Sequence, residues 1–188
     1  MGYSHLLASD ASLATFRAAY GIPGDVDIAC YHQGDIEIQR HRGTNTVFFP
    51  LMSILEGGIR FPVDPLVIDT LRFYGLFPDQ LPPNFFWVVS CVSRLNQFFG
   101  LQLDHHDINF MYNLCGNIES DYYLKTRDNR VRLISCLPDS NRNSAGEFVQ
   151  VSGNWPAGEL PCAFKPHDVG RFCAPFWFLS HLFFFFFL

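Results

Sequence analysis

Apolar residues recur every three or four positions in several short stretches of the chain, which is the spacing of amphipathic helices. The clearest stretch lies between Asp64 and Gly75. Asp64 is a good N-cap, Pro65 suits the first helical position, and Gly75 is a good residue to follow a helix. Asp69 and Arg72 fall on the polar side of the pattern. The pattern predicts a helix with one buried face over this stretch.

Four other stretches have helical spacing, and each has a polar cap or a glycine at one of its ends. The first is capped by Ser9 or Asp10 and runs through Tyr20, the second and third are Val47–Leu55 and Phe85–Phe99, and the fourth is capped by Asp104 and runs through Leu114. Asn84 is expected to cap the third of these helices, and Phe99 is expected to lie on its apolar face. Because the last four helices, including the one after Asp64, are joined by short connections, we expect them to pack as one helical unit.

The pattern changes to strand-like alternation after Asn117. Tyr122–Thr126 and Val131–Ser135 flank the polar residues Arg127–Arg130, which predicts a β-hairpin. Glu147–Val151 alternates in the same way and predicts a third strand. The expected fold is therefore α+β: a small helical unit of about four helices with a C-terminal β-hairpin or three-stranded sheet, then an irregular apolar tail.

Four segments follow from this pattern. Residues 1–45 hold the N-terminal helix and a polar surface arm, in which Asp35–Gln39 alternates like a short strand. Residues 46–116 are the helical core, residues 117–156 are the β-rich part of the same domain, and residues 157–188 are irregular.

The chain ends in an uncharged, phenylalanine-rich run from Phe172 to Leu188. Three interpretations of this run remain open. It is the translation of a pyrimidine-rich intron in a truncated gene, a C-terminal membrane anchor at the lower limit of length for a bilayer, or an element of the folded domain. The first is the preferred expectation, because five consecutive phenylalanines have no amphipathic pattern.

Composition and charge exclude few classes of protein but disfavour some. The net charge of −5 argues against a broad cationic nucleic-acid surface. The six cysteines are far apart and form no C-x-x-C pair, so no zinc site is predicted. No secretory signal opens the chain, and we expect reduced thiols in a cytosolic or nuclear protein.

The sequence contains none of the common motifs for phosphate loops, dinucleotide binding, zinc proteases or serine hydrolases. The run Asp104–Asp107 holds two adjacent histidines, which point about 100° apart on a helix and are poorly placed to share a metal. We therefore predict no catalytic residue, no metal and no cofactor.

A group of basic residues in the predicted hairpin is the one candidate for contact with nucleic acid. The group consists of Lys125, Arg127, Arg130 and Arg132. The neighbouring Tyr122 and Tyr123 offer rings on which bases stack in single-strand binders. The alternative is an ordinary solvated face of a sheet.

The stretch around the central helix resembles a family of plant transposon proteins. Ile59–Val63, Leu71–Leu76 and Pro78–Asn84 are similar to segments of the gypsy-type transposase domain, and Phe148–Trp155 fits its downstream part. The matching positions, for which we expect structural roles, are Arg60, Pro62, Pro78, Gln80, Leu81, Pro83 and Asn84.

The resemblance implies a non-enzymatic, gag-like structural or assembly domain, and it suggests a truncated fragment of a longer element protein. Its expected partners are further copies of itself or other proteins of the element. A nucleic-acid-binding module that uses Lys125–Arg132 is the alternative. An element-encoded nuclease or transposase is a third, and it rests on the family label alone. A membrane is expected as a partner only if the phenylalanine-rich tail is genuine.

Overall fold

The structure is a computed structural model, and it describes residues 3–32, 46–116, 122–128, 130, 133–135 and 146–155. It confirms the α+β class. The helices are α1 (Asp10–Tyr20), α2 (Leu51–Leu55), α3 (Pro65–Tyr74), α4 (Pro83–Phe99) and α5 (His105–Met111). The strands are β1 (Val26–His32), β2 (Val47–Pro50), β3 (Tyr112–Gly116), β4 (Tyr122–Thr126) and β5 (Glu147–Gly153), and 3-10 turns span Ser4–Leu7 and Pro78–Gln80.

Three strands that are far apart in the chain form one antiparallel sheet. β5 is its central strand, with β1 on one side and β2 on the other. Alternate side chains of all three strands point to one face, so that face is apolar. Its fully or nearly buried members are Val26, Ile28, Val47, Phe49, Val149 and Val151.

The core lies between this face and the helices. The ring of Phe49 is completely buried and meets the rings of Phe61, Phe86 and Trp155 at centroid distances of 6.0, 5.8 and 6.1 Å. Phe86 belongs to α4 and Trp155 follows β5, so one side chain of β2 joins the sheet to the longest helix.

The central helix α3 has the ends that the sequence predicts. The Asp64 carboxylate accepts a hydrogen bond from the backbone N–H of Leu66, and Gly75 adopts a left-handed conformation with φ of 67°. The predicted cap at the start of α5 is also present, because the Asp104 carboxylate accepts hydrogen bonds from the N–H groups of His106 and Asp107.

The predicted surface arm is wrong where it overlaps β1. Residues 26–32 form a full strand, and Val26 and Ile28 are buried. The strand exists because β5 supplies its hydrogen bonds from more than a hundred residues away, which no local pattern reveals. The predicted short strand Asp35–Gln39 lies outside the described residues.

The predicted helix over Val47–Leu55 is half wrong. Its first four residues form β2, and only Leu51–Leu55 is helical. The aromatic and β-branched residues at the start favour a strand. Pro50 has extended backbone geometry, with ψ of 133°, and marks the change from strand to helix.

The predicted cap of α4 is also wrong. Pro82 occupies the N-cap position and Pro83 begins the helix, so Asn84 lies inside the first turn. Proline is well suited to a first helical position, because it lacks an N–H that would otherwise be unsatisfied. The helix therefore starts earlier than the polar side chain suggested.

The predicted hairpin has the wrong partner. Tyr122–Thr126 forms β4, but it pairs with β3, which begins where α5 ends at Met111 rather than Leu114. Residues 133–135 are not part of a strand. Glu147–Val151 is a strand as predicted, although it pairs with β1 and β2 instead of a hairpin.

Each of the first three predicted segments contributes one strand to the three-stranded sheet: residues 1–45, 46–116 and 117–156. The tail Phe172–Leu188 lies outside the described residues. In the remainder, the structure contains no helix of the length and apolar character needed to cross a bilayer.

Candidate functional site

The residues that carry the family resemblance surround the junction of α3 and α4. Asp64 links the two helices: one carboxylate oxygen caps α3, and the other accepts a hydrogen bond of 2.5 Å from the hydroxyl of Ser93 on α4. Ser93 is buried. This contact fixes the start of one helix against the side of the other.

Arg60 stabilises the segment before α3. Its guanidinium donates hydrogen bonds to the carbonyl oxygens of Ile54, at the end of α2, and Ile59. It also lies 5.1 Å from the centroid of the Tyr20 ring on α1. A cation at a helix C-terminus is favourable, and so Arg60 joins α1 and α2 in a structural role.

The connector between α3 and α4 is held by its own side chains. The Gln80 side chain accepts a hydrogen bond of 2.9 Å from the backbone N–H of Phe77. Pro78, Leu81 and Pro83 are buried, whereas Pro62 is exposed and follows a cis peptide bond. Gln80, Pro78, Leu81 and Pro83 therefore make contacts within the fold.

Two polar atoms in the first turns of α4 are buried without a hydrogen-bond partner among the described residues. They are the side-chain oxygen of Asn84 and the indole nitrogen of Trp87. The residues are three positions apart, so they lie on one side of the helix. Two atoms of this kind alone do not define a ligand, and we assign them no function.

The downstream part of the resemblance includes the end of β5 and the two residues that follow it, which hold this strand against Asp25 and Val63. Gly153 has φ of 84°, and its α-carbon lies so close to β1 that an added Cβ would be 2.4 Å from the carbonyl oxygen of Asp25. Asn154 donates from its backbone and its side chain to Asp25. The carbonyl of buried Trp155 then accepts a hydrogen bond from the N–H of Val63.

The three described basic residues of the predicted hairpin differ in their surroundings. Lys125 is exposed, but the guanidinium of Arg127 donates to the carbonyl oxygen of Asn109 on α5. Arg130 is exposed, and its guanidinium donates two hydrogen bonds and its backbone N–H one to the Asp128 carboxylate, which hold the pKa of that carboxyl below its ordinary value. Arg132 lies outside the described residues.

Three of the four large apolar residues that are exposed in the described part of the chain lie at the end of α4 and just beyond it, and the fourth is Phe110 on α5. The side chains of Phe98 and Phe99 are 80% and 70% exposed, and Leu101 is 38% exposed. We call Phe98, Phe99 and Leu101 the helix-end surface.

Phe99 was expected on the buried face of α4, so this prediction is wrong: the core contacts of the helix end before its last turn. In the sequence, only the two adjacent phenylalanines at the end of this helix indicated that an apolar side chain would be exposed there.

Comparisons with protein-family profiles, with curated proteins and with solved structures find no match to this chain.

The described side chains provide little for catalysis or metal binding. No group of three metal-ligating residues comes together in the part of the chain that the structure describes. Burial raises the pKa of the Cys30 thiol, as does the charge of Glu147, and burial also raises the pKa of Cys91. Both thiols are therefore protonated and weakly nucleophilic at neutral pH.

The contact between Asp64 and Ser93 predicts a measurable effect. Asp64→Ala removes a helix cap, worth about 1 kcal/mol, and leaves the buried Ser93 hydroxyl without its acceptor, which costs a further ~1–3 kcal/mol. We expect the free energy of unfolding in urea to fall by the sum of the two effects.

Asp104→Ala is the matched control, because Asp104 caps α5 at an exposed site. Its loss is expected to cost only the cap, about 1 kcal/mol. Equal losses for the two variants would show that the Ser93 contact does not stabilise the fold.

Proposed function

We propose that this protein is a non-enzymatic structural or assembly domain of a gypsy-type transposable element, with a gag-like role. The helix-end surface is the observation that carries the proposal. An assembly domain must present apolar area to its partners, and Phe98 and Phe99 are mostly exposed rather than packed in the core of the described residues.

The size of this surface supports association that is reversible. A phenylalanine side chain covers roughly 150–250 Å², so Phe98 and Phe99 together expose on the order of 300 Å² of apolar area. A stable pair of proteins buries about 800 Å² on each partner. The helix-end surface therefore supplies the apolar centre of a contact and requires a polar rim around it.

Exposed charged residues of both signs lie on α4 and at the start of α5, close in sequence to this surface. Arg94 lies one turn before Phe98 on α4 and is exposed. Asp104 and Asp107 are exposed at the start of α5, a few residues after Leu101. A second copy of the chain brings the same basic and acidic groups, and charges of both signs allow favourable pairs between identical surfaces.

The nucleic-acid alternative has weaker support. Arg127 is occupied by a backbone carbonyl and Arg130 by a carboxylate, which leaves Lys125 as the exposed cation of β4 without a partner among the described residues. One such cation contributes little affinity for phosphates, because nonspecific binding depends on several phosphate contacts.

Sedimentation velocity of the full chain over a range of concentrations tests the proposal. We expect the protein to associate beyond a dimer in a way that reverses on dilution, which separates assembly from aggregation. The double variant Phe98→Asp and Phe99→Asp is expected to weaken association by at least about tenfold, since loss of a central aromatic contact typically costs 2 kcal/mol or more.

Phe110→Asp is the matched control, because Phe110 is a half-exposed phenylalanine on the neighbouring helix α5. It is expected to leave association within about threefold of the unmodified protein. A protein that stays monomeric at all concentrations, or equal effects of the two changes, would contradict the proposal.

A further inference from the structure

The outer edge of β1 carries backbone hydrogen-bonding groups that no other strand of the described residues pairs with. β1 is an edge strand of the three-stranded sheet and, among the residues that the structure describes, pairs only with β5. An edge strand presents backbone N–H and C=O groups that pair readily with a strand from another chain.

Each outer strand of the sheet lies beside a 3-10 turn. The short strand β2 is bordered by the 3-10 turn Pro78–Gln80. The N-terminal turn Ser4–Leu7 contacts β1, and the side chains of Tyr3, Leu6 and Leu7 pack against the core cluster. That cluster lies on the inner face of the sheet, whereas Asp27 and Ala29 of β1 are exposed.

We propose that β1 pairs with β1 of a second copy of the chain, antiparallel and centred on Ala29. This contact joins two three-stranded sheets into one continuous sheet. The inference rests on the assembly function proposed above and names a second surface for it, separate from the helix-end surface.

The register follows from the length of the strand. Only one antiparallel register pairs all residues of Val26–His32 with the same range of a second copy, and in that register Ala29 faces Ala29 across the two-fold axis. The small side chain of Ala29 lets the two strands approach without a steric clash.

The side chains of the proposed pair are compatible in this register. Asp27 faces Tyr31 of the second copy, so no carboxylate faces another carboxylate, an arrangement that would be unfavourable. Ile28 faces Cys30 on the core side. A shift of the register by two residues would place Asp27 opposite Ala29 and leave residues unpaired at both ends.

Two contact surfaces on one chain have a consequence that one surface lacks. A single two-fold contact ends in a dimer, whereas two independent contacts on the same chain extend the assembly beyond a dimer. The β1 edge and the helix-end surface belong to different elements, β1 and α4. Together they account for the open assembly expected of a gag-like domain.

Disulfide trapping in the full chain tests the register. In paired antiparallel strands, opposite α-carbons are about 4.5–5.5 Å apart, within the range that a disulfide spans. Ala29→Cys is expected to form a covalent dimer under a mild oxidant at least about tenfold faster than the unmodified chain, whose native thiols give the background.

Asp27→Cys is the matched control, because it is also exposed on β1 but lies opposite Tyr31 in the proposed register. Two copies of position 27 are then four residues apart along the pair, roughly 13 Å, which is too far for a disulfide. The double variant Asp27→Cys and Tyr31→Cys brings opposite cysteines together and is expected to restore rapid trapping.

The outcomes separate this inference from the proposed function. If Ala29→Cys and Asp27→Cys are trapped at equal rates while the protein still assembles through Phe98 and Phe99, the β1 contact is wrong and the assembly function stands. If the chain is monomeric and no variant is trapped above background, both are wrong. Circular dichroism confirms that each variant is folded.

Discussion

Phe49→Ala is expected to lower the free energy of unfolding by about 3–5 kcal/mol, the usual cost of removing a buried aromatic ring. The side chain is completely buried, and its ring meets one ring from the segment before α3, one from α4 and one from the end of β5. Alanine leaves a cavity where three parts of the chain meet. Denaturant unfolding followed by far-ultraviolet circular dichroism measures the loss.

Phe48→Ala is the control from the adjacent position of the same strand. Phe48 points to the outer face of the sheet, where it forms a small cluster with Phe148 and Tyr31. It contacts fewer elements than Phe49, so its loss is expected to cost less. The reverse order of the two losses would place the core on the other face of the sheet.

Gly153→Ala is expected to have a similarly large effect for a different reason. The position requires a positive φ, which costs alanine about 1 kcal/mol, and the new Cβ would overlap the Asp25 carbonyl oxygen at 2.4 Å. Relief of the overlap requires the end of β5 to move away from β1 and disturbs the hydrogen bonds of Asn154 to Asp25. We expect a total loss of about 3 kcal/mol or more.

Gly21→Ala is the matched control. Gly21 also has a positive φ, 62°, but a Cβ added there meets nothing within 4 Å. Its replacement is expected to cost only the conformational preference, about 1 kcal/mol. Thermal unfolding of both variants separates the two effects, and equal losses would show that β5 and β1 are not in contact at Gly153.

The parts of the fold that the sequence predicts correctly are those specified within a few residues. The helix after Asp64 has a capping carboxylate, a proline in the first position and a terminal glycine, and all three act locally. The capped start of α5 at Asp104 is of the same kind. Such signals need no knowledge of the rest of the chain.

The errors arise where a distant partner decides the structure. Residues 26–32 begin a longer stretch, residues 25–45, that is polar as a whole and was expected to be a surface arm. They form a strand because β5 provides hydrogen bonds from residues 147–153. Tyr112 ends α5 for the same kind of reason, because β4 pairs with the residues that follow it. Tertiary pairing overrides local preference in both places.

The candidate site also contains features that follow from neighbouring residues and features that depend on distant contacts. The roles of Gln80 and Leu81 in the connector are local, and we expected structural roles for them. The exposure of Phe99 could not be predicted from its helical spacing, since the spacing continues for one turn after the core ends. Only the packing of α4 shows which apolar residues remain available for a partner.

The central position of β5 determines when this protein can fold during its synthesis. β1 and β2 do not pair with each other, and the strand that joins them is the last of the three to leave the ribosome. Contacts between α3 and α4 involve residues close in sequence and form early, whereas the sheet must wait until Gly153 is translated. A chain released before residue 147 therefore lacks the strand that pairs with both β1 and β2, and the apolar side of β2 is left uncovered.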